Sequence, residues 1–466
     1  MNGRNKSFNN GGVTIKNFKA GFSQVNANPP LGIGVAGYYI PRFAKGFIDD
    51  IEVKTLVLEL GKKQIALISV DVCGIVEDVF APWVENVEKI TGIPKENIFL
   101  SATHSHTGPQ LVLKGRYDAE PEVVENYVRF LGERVVQSVQ LAVADLKDAK
   151  MGYIVGYAPE RVAYIRRYKM KDGTTFTCPP IDDPNIDHPI GELDQRVNVL
   201  RFDRDGGKTI VLVNYGLHAD TINGELLSSD WPGWMARTLD KALDGVKCIF
   251  FNGCEGDVGS TNVHPKDGDM NDTEISFDNE MKSPGMARFV GRALAGTVLQ
   301  VYDKVKYVDV DELDIKTKIV DVPSNMPKPE DMPLAKKYKE LHESGRDSEI
   351  PYKGMQLTTV VAEALRMCRM EHGPESYKLR LTGLKIGPVA MLGLPGEPFT
   401  EIGVKIKETE GWELIMPCAL TNGSVGYFPV QSAYDEGGYE SKTTPFKAGI
   451  DEKIIRGAAE LLNEIK

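Results

Sequence analysis

The sequence predicts an α/β protein: a layered fold with a mixed central β-sheet flanked by helices. Two observations carry this. Short β-rich runs alternate with amphipathic segments along most of the 466 residues, the pattern expected of layered strands and helices. The earliest strand pair, 55–60 and 64–72, is joined only by Gly61-Lys62-Lys63. That is too short for a parallel crossover, so antiparallel pairs must enter the sheet.

The elements follow in order. Residues 76–90 have helical period, and 97–103 read as a buried strand. A helix follows Pro121, over about 122–146, with proline at its start, where the missing N–H costs nothing. Strands are predicted at 151–157, 197–202 and 209–215, a helix at 231–243, a strand at 246–252 and a helix at 285–305. Residues 307–320 alternate as one extended edge. The Pro-rich, charged stretch 323–350 is expected to be a surface excursion. Beyond it lie a helix at 355–370, strands at 377–386 and 389–394, and helices at 399–408 and 447–465. No internal repeat stands out and no boundary splits the chain, so a single domain over 1–466 is expected.

Composition narrows the class. Hydrophobic residues at 42% and charged residues at 26% are ordinary for a soluble globular protein and exclude long disorder or coiled coil. A net charge of −11 with no basic cluster argues against a nucleic-acid surface. No apolar run approaches the roughly 18 residues a transmembrane helix needs. Residues 1–12 are polar, without the apolar core of a secretion signal, so a cytoplasmic protein is expected. The six cysteines lack close pair spacing and read as reduced, buried thiols.

The strongest local signal is Ser101-Ala-Thr-His104-Ser-His106-Thr-Gly108-Pro109. Imidazoles two residues apart at a strand end share a face. They can supply one metal ligand with a second ring reaching the water, or two ligands on one ion. His218 also follows an apolar strand, where α/β folds present functional groups, although a lone histidine there is as often structural. Downstream, Asp230 can orient an imidazole or cap the helix it precedes. The run Gly253-Cys-Glu-Gly256-Asp257-Val-Gly259-Ser260 is glycine-rich and closes another strand. It reads either as an ordinary tight turn or as a source of oxyanion-binding amides. Without a GK[ST] ending it is no phosphate loop. Glu397, in Leu394-Pro-Gly-Glu397-Pro398, can cap the following helix or complete a metal site.

Taken in order, these motifs resemble the neutral/alkaline ceramidase family over nearly the whole chain. The resemblance is carried by Asn28-Pro-Pro-Leu-Gly32, Ala36-Gly-Tyr38, Val70-Asp71-Val72 and Ala102-Thr-His-Ser-His-Thr-Gly-Pro109, and continues through the His218, Gly256-Asp257-Val258 and Glu397 segments. It implies that zinc is held by His104, His218, Glu397 and a tyrosine, with Tyr427 in that position and Tyr439 as the alternative. It implies His106 as the neighbouring non-ligand histidine and Arg166, or Arg167 one residue on, as the substrate-binding arginine. A serine is expected directly after Gly-Asp-Val. Gly259 stands there, and Ser260 is the candidate one residue later. The family's C-terminal immunoglobulin-like domain has no counterpart in this sequence.

The expected activity is hydrolysis of an amide in a small or lipid-like N-acyl substrate by zinc-activated water. His106 serves as the base, and Tyr427, Ser260 and loop amides support the oxyanion. Two other readings stay open: a metal-dependent esterase or other hydrolase on a small soluble substrate, and a zinc-bound homologue without turnover.

Overall fold

The computed structural model describes residues 18–113 and 120–466, so residues 1–12 lie outside the described residues. The chain opens with β1 (Phe18–Asn26), β2 (Glu52–Leu60), β3 (Lys63–Val70) and β4 (Ile98–Ala102). The first three pair antiparallel in succession, and β4 lies parallel to β3. Helix α1 (Glu77–Thr91) makes the crossover that a parallel pair requires, and α2 (Pro121–Ala144) follows β4.

That pattern then recurs. Strands β5 (Lys147–Tyr157), β6 (Arg196–Arg204) and β7 (Ile210–Tyr215) are antiparallel, and β8 (Lys247–Asn252) is parallel to β7. Helix α3 (Asp230–Ala242) is the crossover and α4 (Pro284–Val301) follows. The short β9 (Lys306–Val308) adds to β5. A third round comprises β10 (Leu313–Pro323), β11 (Ser376–Ile386), β12 (Val389–Gly393) and β13 (Leu414–Cys418), with the last pair parallel. Helices α5 (Met332–Glu343) and α6 (Gly354–Met370) are inserted between β10 and β11. Helix α7 (Thr400–Lys407) is the crossover. The short α8 (Gln431–Glu436) and α9 (Tyr439–Thr443) precede the closing α10 (Ile450–Ile465). The topology is thus three βββαβα units, over residues 18–144, 147–301 and 313–465.

Side-chain alternation turns these units into four layers. The first two units share a nine-stranded sheet, and the third forms a four-stranded one. One face of the large sheet presents Val53, Val57, Ala66 and Ile68 to α1 and α2, and Val197, Val199, Val211 and Val213 to α3 and α4. Its other face, including Phe22, Leu56, Leu67, Phe202, Leu212 and Phe251, meets Leu384, Met391 and Met416 of the small sheet. The outer face of the small sheet packs Leu381, Ala390 and Leu392 on α7 and α10. Burial of each such side chain is worth roughly 1.5–3 kcal/mol, so the shared sheet-on-sheet core binds the third unit to the other two.

The mixed sheet flanked by helices agrees with the sequence prediction, with differences in detail. The expected single edge at 307–320 is split: β9 joins the large sheet and β10 begins the small one. The 323–350 stretch is not merely an excursion, because it carries α5, whose Met332 and Ala335 pack on Ala364 and Met367 of α6. Strands β1 and β13 were not predicted. β1 contains Gly21, where an added Cβ would meet Ala142 O at 2.0 Å. The glycine lets α2 cross the strand closely, and it erases the strand pattern. β13 is short and carries Pro417, a residue that argues against a strand in sequence.

Candidate metal centre

The carboxyl ends of the three parallel pairs converge. Ser101 and Thr421 share a hydroxyl hydrogen bond of 2.6 Å, tying the first unit to the third. Asn214 Nδ2 donates to Pro417 O at 2.9 Å, tying the second unit to the third. Ser69 Oγ donates to Phe250 O at 2.7 Å, tying the first to the second. The loops leaving these strand ends therefore face one another.

His104 leaves β4 with φ of 71°, a left-handed conformation that few non-glycine residues adopt. Its Nδ1 lies 2.6 Å from Cys73 O. A carbonyl can only accept, so the proton sits on Nδ1 and Nε2 offers a lone pair. His218 is built alike: Nδ1 lies 2.9 Å from Glu255 O and 3.1 Å from Val258 O. The Glu397 Oε2 atom lies 3.4 Å from His104 Nε2 and 3.5 Å from His218 Nε2. One donor atom from each of these three residues falls within a 4.8 Å group. Among the described residues, His218 Nε2 and Glu397 Oε2 have no hydrogen-bond partner although both are buried. Orphaned lone pairs aimed at one point are what a cation site looks like from the protein side.

The electrostatics agree. Burial opposes charging His104, but Glu397 and Cys73 outweigh it and hold its pKa well above the ordinary value. Burial and the Arg166 cation push His218 down to about 3. Burial opposes ionisation of Glu397 as well, yet His104 and His218 keep its carboxylate well below the usual range.

His106 stands beside this trio. Its Nε2 is 3.2 Å from His104 Nε2, and its Nδ1 is 3.4 Å from Asp220 Oδ2. It is grouped with Cys73 and His104, but not with His218 and Glu397. Burial, with His104 and His218 next to it, holds His106 well below ordinary imidazole and therefore neutral. Gly37, at φ +100°, packs against the ring, since a Cβ there would lie 2.7 Å from His106 Cβ.

The other candidate residues differ in placement. Tyr427 is paired directly with Glu397 in a short parallel bridge, and its ring is 6.5 Å from that of His218. Tyr439 lies farther out, 5.7 Å from Tyr427 in an edge contact. Arg166, not Arg167, faces the centre: its guanidinium carbon is 5.5 Å from the Tyr427 ring centroid, whereas Arg167 Nη2 donates to Glu436 and Gly437. Arg166 donates to Glu440 Oε1 at 2.8 Å and to Gly256 O at 2.9 Å, which ties it to the glycine-rich loop. The structure does not bring Ser260 into the group. It lines a separate cavity of about 770 Å³ with Tyr164, Met281 and Phe289. Two amides of the glycine-rich loop are engaged within the protein, Gly256 N with Pro398 O and Val258 N with Glu255 O. Asp230 holds the loop after His218 through Thr221 N and Ile222 N and orients no imidazole directly.

Sequence reasoning missed Asp220, Glu255 and a buried charge cluster. The Asp220 carboxylate accepts from Tyr38 at 2.6 Å and pairs with Lys282 at 2.6 Å. Lys282 also bridges to Glu280. Asp220, Asp278 and Glu280 form a further acidic group, but the Lys282 ammonium already serves it as a cation. The signal for Asp220 was present: His218-Ala219-Asp220 has the same period-two spacing as His104-Ser105-His106.

No protein-family model and no curated protein sequence matches the chain. The fold is that of a neutral ceramidase. The crystal structure of neutral ceramidase from Pseudomonas aeruginosa aligns with TM-score 0.69 at 16% identity, covering 97% of this chain and 75% of that one. A structure titled "Ceramidase complexed with C2" aligns at 0.69 with 15% identity, covering 97% and 76%. At such identity the likeness concerns the fold.

Proposed function

We propose that the protein is a zinc-dependent hydrolase that cleaves the amide bond of an N-acyl substrate, ceramide-like or smaller. The observation that carries this is the convergence of His104, His218 and Glu397 within 4.8 Å. Two imidazoles, a carboxylate and the neighbouring Tyr427 oxygen are a donor set suited to zinc. The ceramidase fold supplies the reaction class. When bound, zinc polarises the carbonyl and lowers the pKa of water from about 15.7 toward 7.

The chain's own residues do the rest. His106 Nε2, neutral and with its Nδ1 3.4 Å from Asp220 Oδ2, takes the proton from the attacking water and returns it to the departing amine nitrogen. Tyr427, positioned by Arg166, directs its hydroxyl at the carbonyl oxygen. Asp257 accepts from Thr400 N and Oγ1 at 2.8 Å each, locking the glycine-rich loop to the turn that bears Glu397. A smaller, polar substrate is the second reading. The wall next to His106 is built of buried Asp220, Lys282, Glu280 and Arg42, groups that suit hydroxyl or amine contacts better than an alkyl chain. No described helix is long and apolar enough to cross a membrane.

The test is His104→Ala, measured for metal content and for turnover of N-acyl amines of graded chain length. Bound zinc and turnover should vanish together. Full turnover with stoichiometric zinc in that variant ends the assignment.

A further inference from the structure

Glu255 sits on the glycine-rich loop and has no role in the mechanism above. Its side chain is wholly buried, at 0% exposure. Among the described residues neither carboxylate oxygen has a hydrogen-bond partner. A buried carboxyl without a partner forfeits its hydrogen bonds to water with nothing in return, so folded proteins rarely leave one.

Its surroundings identify the missing partner. The Glu255 carbonyl holds His218 Nδ1 at 2.9 Å. The next residue, Gly256, packs so closely on the Glu397 turn that a Cβ would lie 2.5 Å from Glu397 O. Burial raises the Glu255 carboxyl well above the usual range, and the neighbours that act on it next are His104 and Glu397. Lys282, the buried ammonium on the far side of His106, is engaged by Asp220 and Glu280. Arg166, whose guanidinium also acts on Glu255, is engaged by Glu440. No cation among these described residues is left for Glu255. Buried orphaned atoms on His106, His218, Glu397 and Glu255 cluster in this region.

We propose that Glu255 is a charge-neutralising carboxylate of the metal centre, outside the His104, His218 and Glu397 group and facing the ion from the glycine-rich loop through one water. Two carboxylates, Glu397 and Glu255, then balance one divalent ion. The proposal rests on the metal-centre reading and adds to it a residue outside the His104, His218, Glu397 and Tyr427 set. It predicts that the loop retains metal as well as shaping the site.

The experiment uses the full-length chain with zinc alone as probe. Glu255→Gln keeps the shape and removes the charge. Zinc should be lost to a competing chelator about tenfold faster or more, the range typical of groups that support a metal site without dominating it. The rise in melting temperature on adding zinc should shrink, while the metal-free melting temperature stays equal or increases, because an uncompensated acid has been removed. Unchanged zinc retention with an unchanged zinc-induced rise overturns the proposal. If Glu255→Gln fails to fold, Glu255→Asp carries the test: it should keep zinc better than Glu255→Leu, and equal loss in both overturns the proposal. Wild-type protein that binds no zinc removes the metal-centre reading itself. Zinc-bound wild type with an unaffected Gln variant removes only the role of Glu255.

Discussion

The turn after the third strand differs between the first unit and the other two, though all three share one topology. In the second and third units this turn projects a donor atom: His218 after β7 and Glu397 after β12. In the first unit the corresponding turn, Asp71 to Cys73 after β3, projects none of the trio. It supplies support instead: Val70 O and Val72 O receive the amides of Thr103 and His104, and Cys73 O holds His104 Nδ1 at 2.6 Å. The first unit places its imidazole one strand later, after β4. One scaffold position can thus bear a ligand or brace a neighbour's ligand, depending on whether side chain or backbone faces the centre.

Exchanging side chains at the two kinds of turn gives the largest expected contrast. His218→Ala removes a donor and should cost more than the roughly 10–100-fold in metal affinity typical of supporting groups. Cys73→Ala leaves the supporting carbonyl in place and removes only a thiol 3.8 Å from His104 Nδ1, so affinity should stay within about tenfold. Zinc competition titrations on both variants measure the difference. Equal losses would show that the Cys73 side chain, not its backbone, is what the centre uses.

The acid in the supporting turn sharpens the same comparison through pH. Glu397 is held ionised by its imidazole neighbours, whereas burial drives Asp71 up from 3.8 to about 7 despite nearby Lys54. Because its folded pKa is raised, Asp71 contributes stability that is fully present below about pH 4. That contribution is lost as pH rises toward 7, on the order of 4 kcal/mol at about 1.4 kcal/mol per pH unit. Asp71→Asn keeps an oxygen for Glu52 N, which the carboxylate accepts at 3.1 Å. The variant should therefore be more stable than the parent at pH 8 and lose the slope between pH 4 and 7 in denaturant titrations. A slope that persists in the variant would assign it to another group.

How much of this was legible in the sequence follows from range. Strands such as 197–202 and helices such as 231–243 announce themselves by local period; the first lies within Arg196–Arg204 and the second overruns Asp230–Ala242 by one residue. His104 and His106 were visible because their spacing is two residues. Glu397 could be linked to them only through resemblance, because the contact spans almost 300 residues. Asp220 and Glu255 went unnoticed for opposite reasons. Asp220 was read past although its spacing signalled it, while the significance of Glu255 lies in having no partner, which only packing can show. The threefold topology was invisible because the units share hydrogen-bond pattern and layer position, not residues.

The smallest expected effect concerns Ser260, which stood in sequence as a catalytic candidate. The short strand Val258–Gly259 pairs with Tyr164–Ile165, and the two sides of this ribbon face different surroundings. A Cβ at Gly259 would meet Arg166 Cβ at 3.7 Å and Glu280 Oε1 at 3.7 Å, on the side of the metal centre and without a clash. Ser260 lines the outer cavity instead. Ser260→Ala should therefore leave turnover within about twofold, as for a substitution away from the chemistry. Gly259→Ser should fold and move turnover further than Ser260→Ala, because its hydroxyl lands against the arginine that positions Tyr427. A strong loss in Ser260→Ala with Gly259→Ser silent would reverse the ribbon's assignment and return the hydroxyl to the reaction.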